Sequence, residues 1–466
     1  MVFSSIPFLY YFLPITMLLY LLVPKKLKNA VLLASSLLFY AWGEKLLVVL
    51  FAGSILVGWG TGLLLERTHK PLHRKMLLGL ALLFDLGLLG YFKYADFFLA
   101  NINALLGTDL PLLHVALPIG ISFYTFQLLS YNIDVYRQTV PAQKNPVNFA
   151  AYVSMFPQLI AGPIVRYADV CDSLSNRKHS LEMISSGITR FSIGLGKKVL
   201  LANLLGEFCS QFRSTTQPAV LYYWLYALCY TLQIYYDFSG YSDMAIGLGR
   251  IFGFRFMENF NYPYISASVT EFWRRWHISL GSWFRDYVYI PLGGNRKGLQ
   301  RQLINILVVW MLTGLWHGAA WNFVLWGLFY ALLLTIEKMG FKKWLDGHKL
   351  FGHIYTLAAV ILGFLIFNAE GISGILQDLS GLFSFGRLPL ANAECLYYLR
   401  SFGIVMLAGI LGATPLPAYG VQMLRGKGVG GRVWDVVEVA FPAVLLVLAT
   451  AFLVDGSFNP FLYFRF

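Results

Sequence analysis

Long apolar segments recur along this chain and constrain its fold more than any other feature. Runs of about 20 apolar residues, the length that crosses the hydrocarbon core of a bilayer, alternate with short polar loops. The 466 residues have room for about eleven or twelve such spans. Lipid-exposed backbone must satisfy its own hydrogen bonds, and the alternating pattern of a membrane β-barrel is absent from the sequence. The sequence therefore predicts an all-α, polytopic integral membrane protein with one transmembrane domain, residues 1–466.

The composition excludes a soluble domain, because 58% of the residues are hydrophobic and only 13% are charged. The net charge of +13 is compatible with nucleic-acid binding in principle, but its distribution favours a bilayer as the partner. The basic residues concentrate in short loops between apolar segments, as the positive-inside rule describes. They are Lys25, Lys26, Lys28, Arg67, Lys70, Arg74, Lys75, Lys342, Lys343, Lys349, Arg425, Lys427 and Arg432. Four cysteines are scattered without paired spacing, so neither a disulfide framework nor a zinc site is indicated.

The same charges predict an orientation in the membrane. The first apolar segment, residues 6–24, has no basic residue before it and three after it, the wrong polarity for a cleaved signal peptide. It is therefore expected to be an uncleaved span with the N-terminus outside, which places the basic loop 66–75 inside. Residues 369–396 contain a single basic residue, Arg387, and are expected to form a loop on the outer face.

Two segments in the middle of the chain depart from a simple spanning helix. Residues 117–136 begin with Pro118 and Gly120, which suit a helix start or a broken helix. Residues 149–164 contain two prolines and a glycine, which favours an interrupted or re-entrant segment. Such a segment is tolerated at membrane depth only where it is buried or lines a cavity.

Polar residues then follow in two further places. Residues 166–190 are predicted to form a loop. Lys197 and Lys198 lie in an apolar run, from which lysine side chains most simply extend to the membrane interface.

Two aspartates lie beyond the apolar run 218–238. Asp237 and Asp243 are predicted to flank a Ser-Gly-Tyr turn. Helix capping and contact with substrate are both open roles for them.

Most of the polar chemistry lies in residues 271–323, which contain His277 and His317. His317 falls in a run with no charge between Arg301 and Glu337. An ionisable group in such a run is costly unless it is neutral, partnered or facing a cavity, so a functional role is favoured over that of a hydrogen-bonded core histidine. The flanking glycines, Gly314 and Gly318, allow another backbone or a ligand to approach closely.

Basic residues crowd the beginning of this stretch, which the charge pattern places at the cytoplasmic face. Arginine binds phosphate through its planar guanidinium, so these residues are candidates for holding a phosphorylated donor. Membrane anchoring is an equally good explanation for Arg296, Lys297 and Arg301 taken singly. The candidate donor-binding residues are Arg274, Arg275 and Arg285; Trp273, Trp276 and Trp283 are interpreted as interfacial packing.

The motifs FWRRWHISLGSWFRDYVYIPLGGNR and LTGLWHGAAWNFVLWG resemble those of the membrane-bound O-acyltransferase family. Supporting motifs are MVFSSIPFLYYFLP, LPIGISFYTFQ, FPQLIAGPIVRY, YYDFSGYSDMAIGLG, NFNYPY and NPFLYFRF. The similarity is greatest to a bacterial branch that includes alginate and peptidoglycan O-acetylation proteins and, at greater distance, teichoic acid D-alanylation proteins. It implies a ring of helices with re-entrant segments around a central funnel, and a core catalytic region at about 230–335.

The resemblance also implies site residues. His317 is implied as the catalytic histidine, with His277 at a second polar position. Trp316 and Asn322, in the His317 motif, and Asp237, in YYDFSGYSD, are candidate substrate-binding residues. A neutral histidine can act as a general base or as a covalent acyl-imidazole relay, and the sequence leaves both open.

The implied function is transfer of acetyl from cytoplasmic acetyl-CoA for O-acetylation of an extracytoplasmic polysaccharide or cell-wall glycan. The resemblance implies the bacterial cytoplasmic membrane, no bound cofactor and no metal, and a separate extracytoplasmic acyltransferase partner. D-alanyl transfer to teichoic acid is the alternative within the family. A proton-coupled transporter and a structural scaffold for export are alternatives from other classes.

Overall fold

Helices account for almost all the regular structure of this chain. The computed structural model describes residues 1–425 and 428–456. Within these ranges no β-strand forms, and the β-type pairing consists of the isolated bridges Phe260–Trp276 and Phe385–Leu388. The all-α prediction is confirmed.

Apolar helices of spanning length are present as predicted. Among the described residues, six helical stretches are long and apolar enough to cross a membrane: Leu47–Arg67, Pro71–Leu106, Trp321–Gly347, Lys349–Asn368, Ala393–Gly412 and Val436–Asp455. A shorter apolar helix, Phe8–Leu22, precedes them. This is the architecture of a multi-pass membrane protein.

The first of two compact units comprises Met1–Phe191 and Ser242–Met257. The α-helices that begin in its first segment are Leu13–Leu22, Lys28–Gly43, Leu47–Arg67, Pro71–Leu89, Ala95–Leu106, Ile121–Tyr136, Pro146–Ser154, Phe156–Leu159, Tyr167–Ser175 and Leu181–Gly196. Short π-helical turns occur at Phe8–Phe12 and Gly90–Tyr94, and a 3₁₀ turn at Lys25–Leu27.

The interrupted segment predicted at residues 149–164 is present in this unit. Helix Pro146–Ser154 stops at Met155, a second helix spans only Phe156–Leu159, and the chain then continues without regular structure. Residues 151–165 are buried throughout, as irregular backbone at membrane depth requires.

One prediction for this unit was wrong. Residues 166–190 contain the helix Tyr167–Ser175 and the start of the helix Leu181–Gly196, rather than a loop. The first of these helices buries Tyr167, Val170 and Leu174 and exposes polar residues between them, a helical pattern that the many polar residues of the segment obscured.

The second unit comprises Ser192–Tyr241 and the described residues from Glu258 onward. Its α-helices are Asn203–Ser214, Val220–Ile251, Val269–Arg275, Ile278–Phe284, Gly298–His317, Trp321–Ile336, Lys342–Gly347, Lys349–Asn368, Gly371–Leu382, Ala393–Gly412, Leu416–Arg425 and Gly428–Asp455. Shorter turns occur at Lys197–Ala202, Pro263–Ile265, Arg285–Tyr289 and Glu337–Phe341. The predicted outer loop 369–396 is partly wrong, because it contains the helix Gly371–Leu382.

The predicted turn between Asp237 and Asp243 is also wrong, because both residues lie inside the helix Val220–Ile251. Gly240 serves close packing there rather than chain reversal. A Cβ at Gly240 would lie 2.7 Å from the carbonyl oxygen of Gly194, so only glycine permits this approach.

Lys198 does not extend to the membrane interface as predicted. It forms a buried ion pair with Asp237, and only 3% of Lys198 and 1% of Asp237 is exposed. A buried charge needs a partner of opposite sign, and each residue supplies that partner for the other.

The helices Gly298–His317 and Trp321–Ile336 pack backbone to backbone beside the histidine motif. At Gly314 a Cβ would overlap the carbonyl oxygen of Phe323, and at Gly327 it would overlap that of Trp310. The absence of side chains at these two glycines lets the two backbones touch. This contact sets the position of His317, three residues beyond Gly314.

Candidate active site

His317 is the last residue of the helix Gly298–His317 and is buried. Its ring makes edge-on contacts with the rings of Trp326 and Phe367, with centroids 5.1 Å and 5.2 Å away. The helix ends here because Gly318 adopts an extended conformation. The imidazole therefore lies at a helix end, between aromatic rings that restrict its orientation.

Asn322 supports this arrangement from the next helix. It is buried, and its Nδ2 donates a hydrogen bond to the carbonyl oxygen of Phe367 at 2.8 Å. Phe367 is one of the rings against His317. The observed contact therefore gives Asn322 a positioning role toward His317.

His277 joins the short helices Val269–Arg275 and Ile278–Phe284 with a left-handed backbone conformation, φ 45°. Its Nδ1 lies 3.2 Å from Oδ1 of Asn259. The backbone N–H of Ser279 donates to the same atom at 3.2 Å, which identifies it as the amide oxygen. Because an oxygen without a proton can only accept, Nδ1 of His277 carries the proton.

The tautomer leaves Nε2 of His277 as an unprotonated, basic nitrogen. This atom is buried and has no hydrogen-bond partner among the described residues. The Asn259 side chain also accepts from the Ser279 hydroxyl at 2.8 Å, so it is itself fixed in place. A buried histidine held in one tautomer, with a free basic nitrogen, is suited to accept a proton from a reactant.

Trp316 brings the two histidines into one cluster. Its ring centroid lies 5.9 Å from that of His277 and 5.0 Å from that of His317. The tryptophan is almost completely buried. Residues that are 40 positions apart in sequence thus share one aromatic neighbour.

A cavity of about 610 Å³ opens beside this cluster. His277 forms part of its wall, and Thr313, one helical turn before His317, forms another part. Most of its lining is aromatic or apolar, and its exposed lining includes cations. The aromatic residues are Trp273, Trp276, Trp310, Phe284 and Tyr289, and the cations are Arg274, Arg285 and Lys338.

The predicted donor-binding arginines differ in their relation to this cavity. Arg274 and Arg285 line it, and Arg285 also pairs with Asp286 at 2.7 Å. Arg275 is not part of the lining: its Nε bonds Glu271 at 2.9 Å and its Nη1 bonds the Asn261 carbonyl oxygen at 3.1 Å. Neighbouring positions on a helix point in different directions, which separates Arg274 from Arg275.

Asp237 is likewise not among the residues that line the cavity. The buried ion pair with Lys198 occupies its carboxylate. Trp273 and Trp276, interpreted from the sequence as interfacial packing, belong to the cavity wall, whereas Trp283 does not. Of the predicted site residues, His277, Arg274 and Arg285 therefore line the cavity, whereas His317, Trp316, Asn322, Arg275 and Asp237 do not.

Two supporting residues were missed from the sequence. Asn259 sets the His277 tautomer, and its only signal was the NFNYPY motif. Glu337 is buried and accepts from the backbone N–H groups of Val269 and Thr270 at 2.6 Å and 2.9 Å, which caps the helix that carries Arg274. In the sequence, Glu337 could have been recognised as the first charged residue after Arg301 in an apolar run.

Comparison with known proteins identifies the class of this site. The sequence pattern of the membrane-bound O-acyltransferase family matches residues 136–344. The probable alginate O-acetylase AlgI of Pseudomonas putida is 42% identical, with all of both chains covered. The chain belongs to the membrane-bound O-acyltransferase family.

Other relatives place this O-acyltransferase within the family. The peptidoglycan O-acetyltransferase of Helicobacter pylori is 31% identical, covering 100% of this chain and 98% of the relative. The teichoic acid D-alanyltransferase of Bacillus subtilis is 29% identical over 54% of this chain and 69% of the relative. The chemistry to be explained is therefore acyl transfer by a membrane enzyme.

Proposed function

We propose that this protein takes an acetyl group from acetyl-CoA in the cytoplasm and passes it across the bacterial cytoplasmic membrane for O-acetylation of a polysaccharide or cell-wall glycan. The observation that carries the proposal is the cluster of His277, Trp316 and His317 beside a cavity with an aromatic wall and exposed cations. Acetyl, rather than D-alanyl, transfer is supported by similarity over the whole chain to an alginate and a peptidoglycan acetylation protein.

The cavity suits the shape and charge of an acyl-CoA. Arg274, Arg285 and Lys338 would bind the phosphates of the nucleotide end, since guanidinium groups match phosphate geometry. The apolar pantetheine arm would lie against Trp273 and Trp276. A volume of about 610 Å³ is in the range of small-molecule sites.

The position of His317 along its helix explains why a long donor arm is needed. From Arg301 to His317 a helix rises by roughly 24 Å, at about 1.5 Å per residue, against a hydrocarbon core of about 30 Å. If Arg301 lies at the cytoplasmic face, His317 lies deep in the bilayer. The phosphates stay near the arginines while the thioester is carried inward.

A histidine can promote transfer of acetyl from a thioester to a hydroxyl by two routes. In the general-base route, His317 removes the proton of an acceptor hydroxyl, the oxygen attacks the thioester carbonyl, and the same proton passes to the departing CoA sulfur. In the relay route, an imidazole nitrogen takes the acetyl first and yields it to the acceptor afterwards. We assign His317 as the reacting histidine and His277 as a second, oriented imidazole. A separate extracytoplasmic acyltransferase would complete delivery to the glycan.

The decisive experiment incubates purified protein in detergent with radiolabelled acetyl-CoA and alginate or peptidoglycan fragments, and measures released CoA and transferred acetyl. His317→Ala should reduce turnover by about 10²- to 10⁴-fold, the contribution of a general base. His69→Ala, an exposed histidine between two helices, is the matched control and should keep the wild-type rate. Wild-type turnover in His317→Ala would refute the assignment, and failure of the wild type to release CoA from acetyl-CoA would refute the function.

A second measurement tests the donor-binding end. Arg274→Gln should raise the KM for acetyl-CoA more than it lowers kcat, because a phosphate contact is equally present in the ground and transition states. Arg275→Gln is the matched control, since this neighbour pairs with Glu271 and does not line the cavity. Adding Arg285→Gln to Arg274→Gln should raise the KM further. Equal KM values for all the variants would show that acetyl-CoA does not bind at these arginines.

A further inference from the structure

A second pocket, lined entirely by residues of the first unit, has a strongly basic character. It has a volume of about 300 Å³ and lies between the turn Lys25–Leu27 and the chain that follows the helix Tyr167–Ser175. Its lining carries the side chains of Lys25, Lys28, Arg177 and His179, together with polar groups of Asn29, Ser175 and Asn176. No residue of the active-site cavity contributes to it.

Arg177 is held rigidly at this pocket. Its Nη1 donates to the Tyr20 hydroxyl at 2.8 Å, its Nη2 donates to Oδ1 of Asn29, and its Nε donates to the Ser173 carbonyl oxygen at 3.0 Å. Its guanidinium also stacks over the ring of Phe254, 4.0 Å from the centroid. These are neutral partners, so the guanidinium is positioned without being neutralised.

The neighbouring Lys28 and His179 side chains also contact an aromatic residue rather than a carboxylate. Nζ of Lys28 lies 4.5 Å from the centroid of the Tyr20 ring, and Nε2 of His179 lies 2.8 Å from the Tyr20 hydroxyl. Among the described residues, no aspartate or glutamate forms an ion pair with Lys25, Lys28 or Arg177. Burial together with the charges of Arg177 and Lys25 lowers the pKa of Lys28, the effect of a crowded positive site that lacks a counter-ion.

The surface next to the pocket is apolar. Leu21, Leu22 and Leu27 leave 55%, 74% and 50% of their surfaces exposed, immediately before and within the Lys25–Leu27 turn. An apolar helix, Phe8–Leu22, leads directly to the pocket. The basic pocket, which suits a phosphate group, therefore adjoins an apolar surface, which suits acyl chains.

We propose that this pocket binds the phosphate of an anionic phospholipid from the leaflet next to the Lys25–Leu27 turn. Basic pockets at the ends of membrane helices bind acidic headgroups through the attraction that draws basic segments to anionic membranes. The phosphate lies among Lys25, Lys28 and Arg177, with Asn29 and Asn176 as neutral polar neighbours, and the acyl chains lie along the exposed leucines. This site goes beyond the proposed acetyl transfer and does not rest on it.

The test measures binding of short-chain lipids to the full chain in detergent micelles by native mass spectrometry and calorimetry. The probes are dioctanoyl phosphatidylglycerol, dioctanoyl phosphatidylcholine and inorganic phosphate. The pocket variant is Lys25→Gln with Lys28→Gln, which leaves the bonds of Arg177 to Tyr20 and Asn29 intact. The matched control is Lys26→Gln with Lys178→Gln, which removes the same charge from exposed neighbours that do not line the pocket.

We expect wild type to bind phosphatidylglycerol more tightly than phosphatidylcholine. The pocket variant should lose roughly 25-fold in affinity, since each of the two lysines contributes about a factor of five near an anionic lipid. The control should stay within about twofold of wild type, and Lys25→Arg with Lys28→Arg should restore binding. Equal losses in the pocket and control variants, or equal affinity for the two lipids, would overturn the proposal. Inorganic phosphate bound as tightly as phosphatidylglycerol would overturn the lipid assignment in favour of a soluble phosphate.

Discussion

Replacing Gly314 by alanine should displace His317 without changing the chemical identity of any polar side chain of the site. Gly314 lies at the closest approach of the helices Gly298–His317 and Trp321–Ile336. An added Cβ would lie about 1 Å inside the 3.4 Å lower limit of ordinary contact with the carbonyl oxygen of Phe323. That oxygen belongs to the backbone of the next helix, so no side-chain rotation can relieve the overlap.

The size of the effect follows from this overlap. The two helices must separate or slide by about 1 Å, and His317 moves with them because it lies less than one turn beyond Gly314. A displacement of about 1 Å at a reacting group lowers turnover by roughly 10²-fold. Overpacking should also lower the unfolding free energy by about 1–3 kcal/mol.

The assay is kcat for acetyl transfer at saturating acetyl-CoA, measured together with the melting temperature in detergent. Gly327→Ala should reproduce the loss from the opposite helix, because its Cβ would overlap the carbonyl oxygen of Trp310. Gly403→Ala is the control, since nothing lies within 4 Å of a Cβ there. A folded Gly314→Ala protein with kcat within about threefold of wild type would show that this helix contact does not position the reacting histidine.

Two further predictions concern stability and orientation. Asp237→Asn should lower the unfolding free energy by about 3–5 kcal/mol, because it removes the negative charge that pairs with the buried Lys198. A second change, Lys198→Met, should recover most of the loss. Thermal unfolding in detergent measures both, and a loss below about 1 kcal/mol would mean that this ion pair contributes little to stability. Single cysteines placed in residues 66–75 should react with an impermeant maleimide from the cytoplasmic side, and those placed in residues 369–396 from the opposite side. Labelling of both segments from one side would refute the proposed orientation.

Local pattern was enough to predict several elements of this protein. Run length and low charge predicted membrane helices, because the thickness of a bilayer translates directly into a number of apolar residues. The prolines and glycine of residues 149–164 predicted an interrupted segment, since these residues disrupt helical hydrogen bonding wherever they occur. The motif around His317 was sufficient to indicate the family. These signals depend on each residue and its near neighbours in sequence.

Tertiary structure decided which polar residues meet. Asp237 and Lys198 lie 39 positions apart, and only the packing of their helices makes them a pair rather than a substrate contact and an interfacial lysine. Asn259, 18 positions before His277, sets the proton on that histidine. Arg274 lines the cavity and its neighbour Arg275 does not, because the direction of each side chain depends on how the helix is rotated against the others. Sequence specifies which groups are available, whereas burial and side-chain direction, which packing determines, select the ones that form the site.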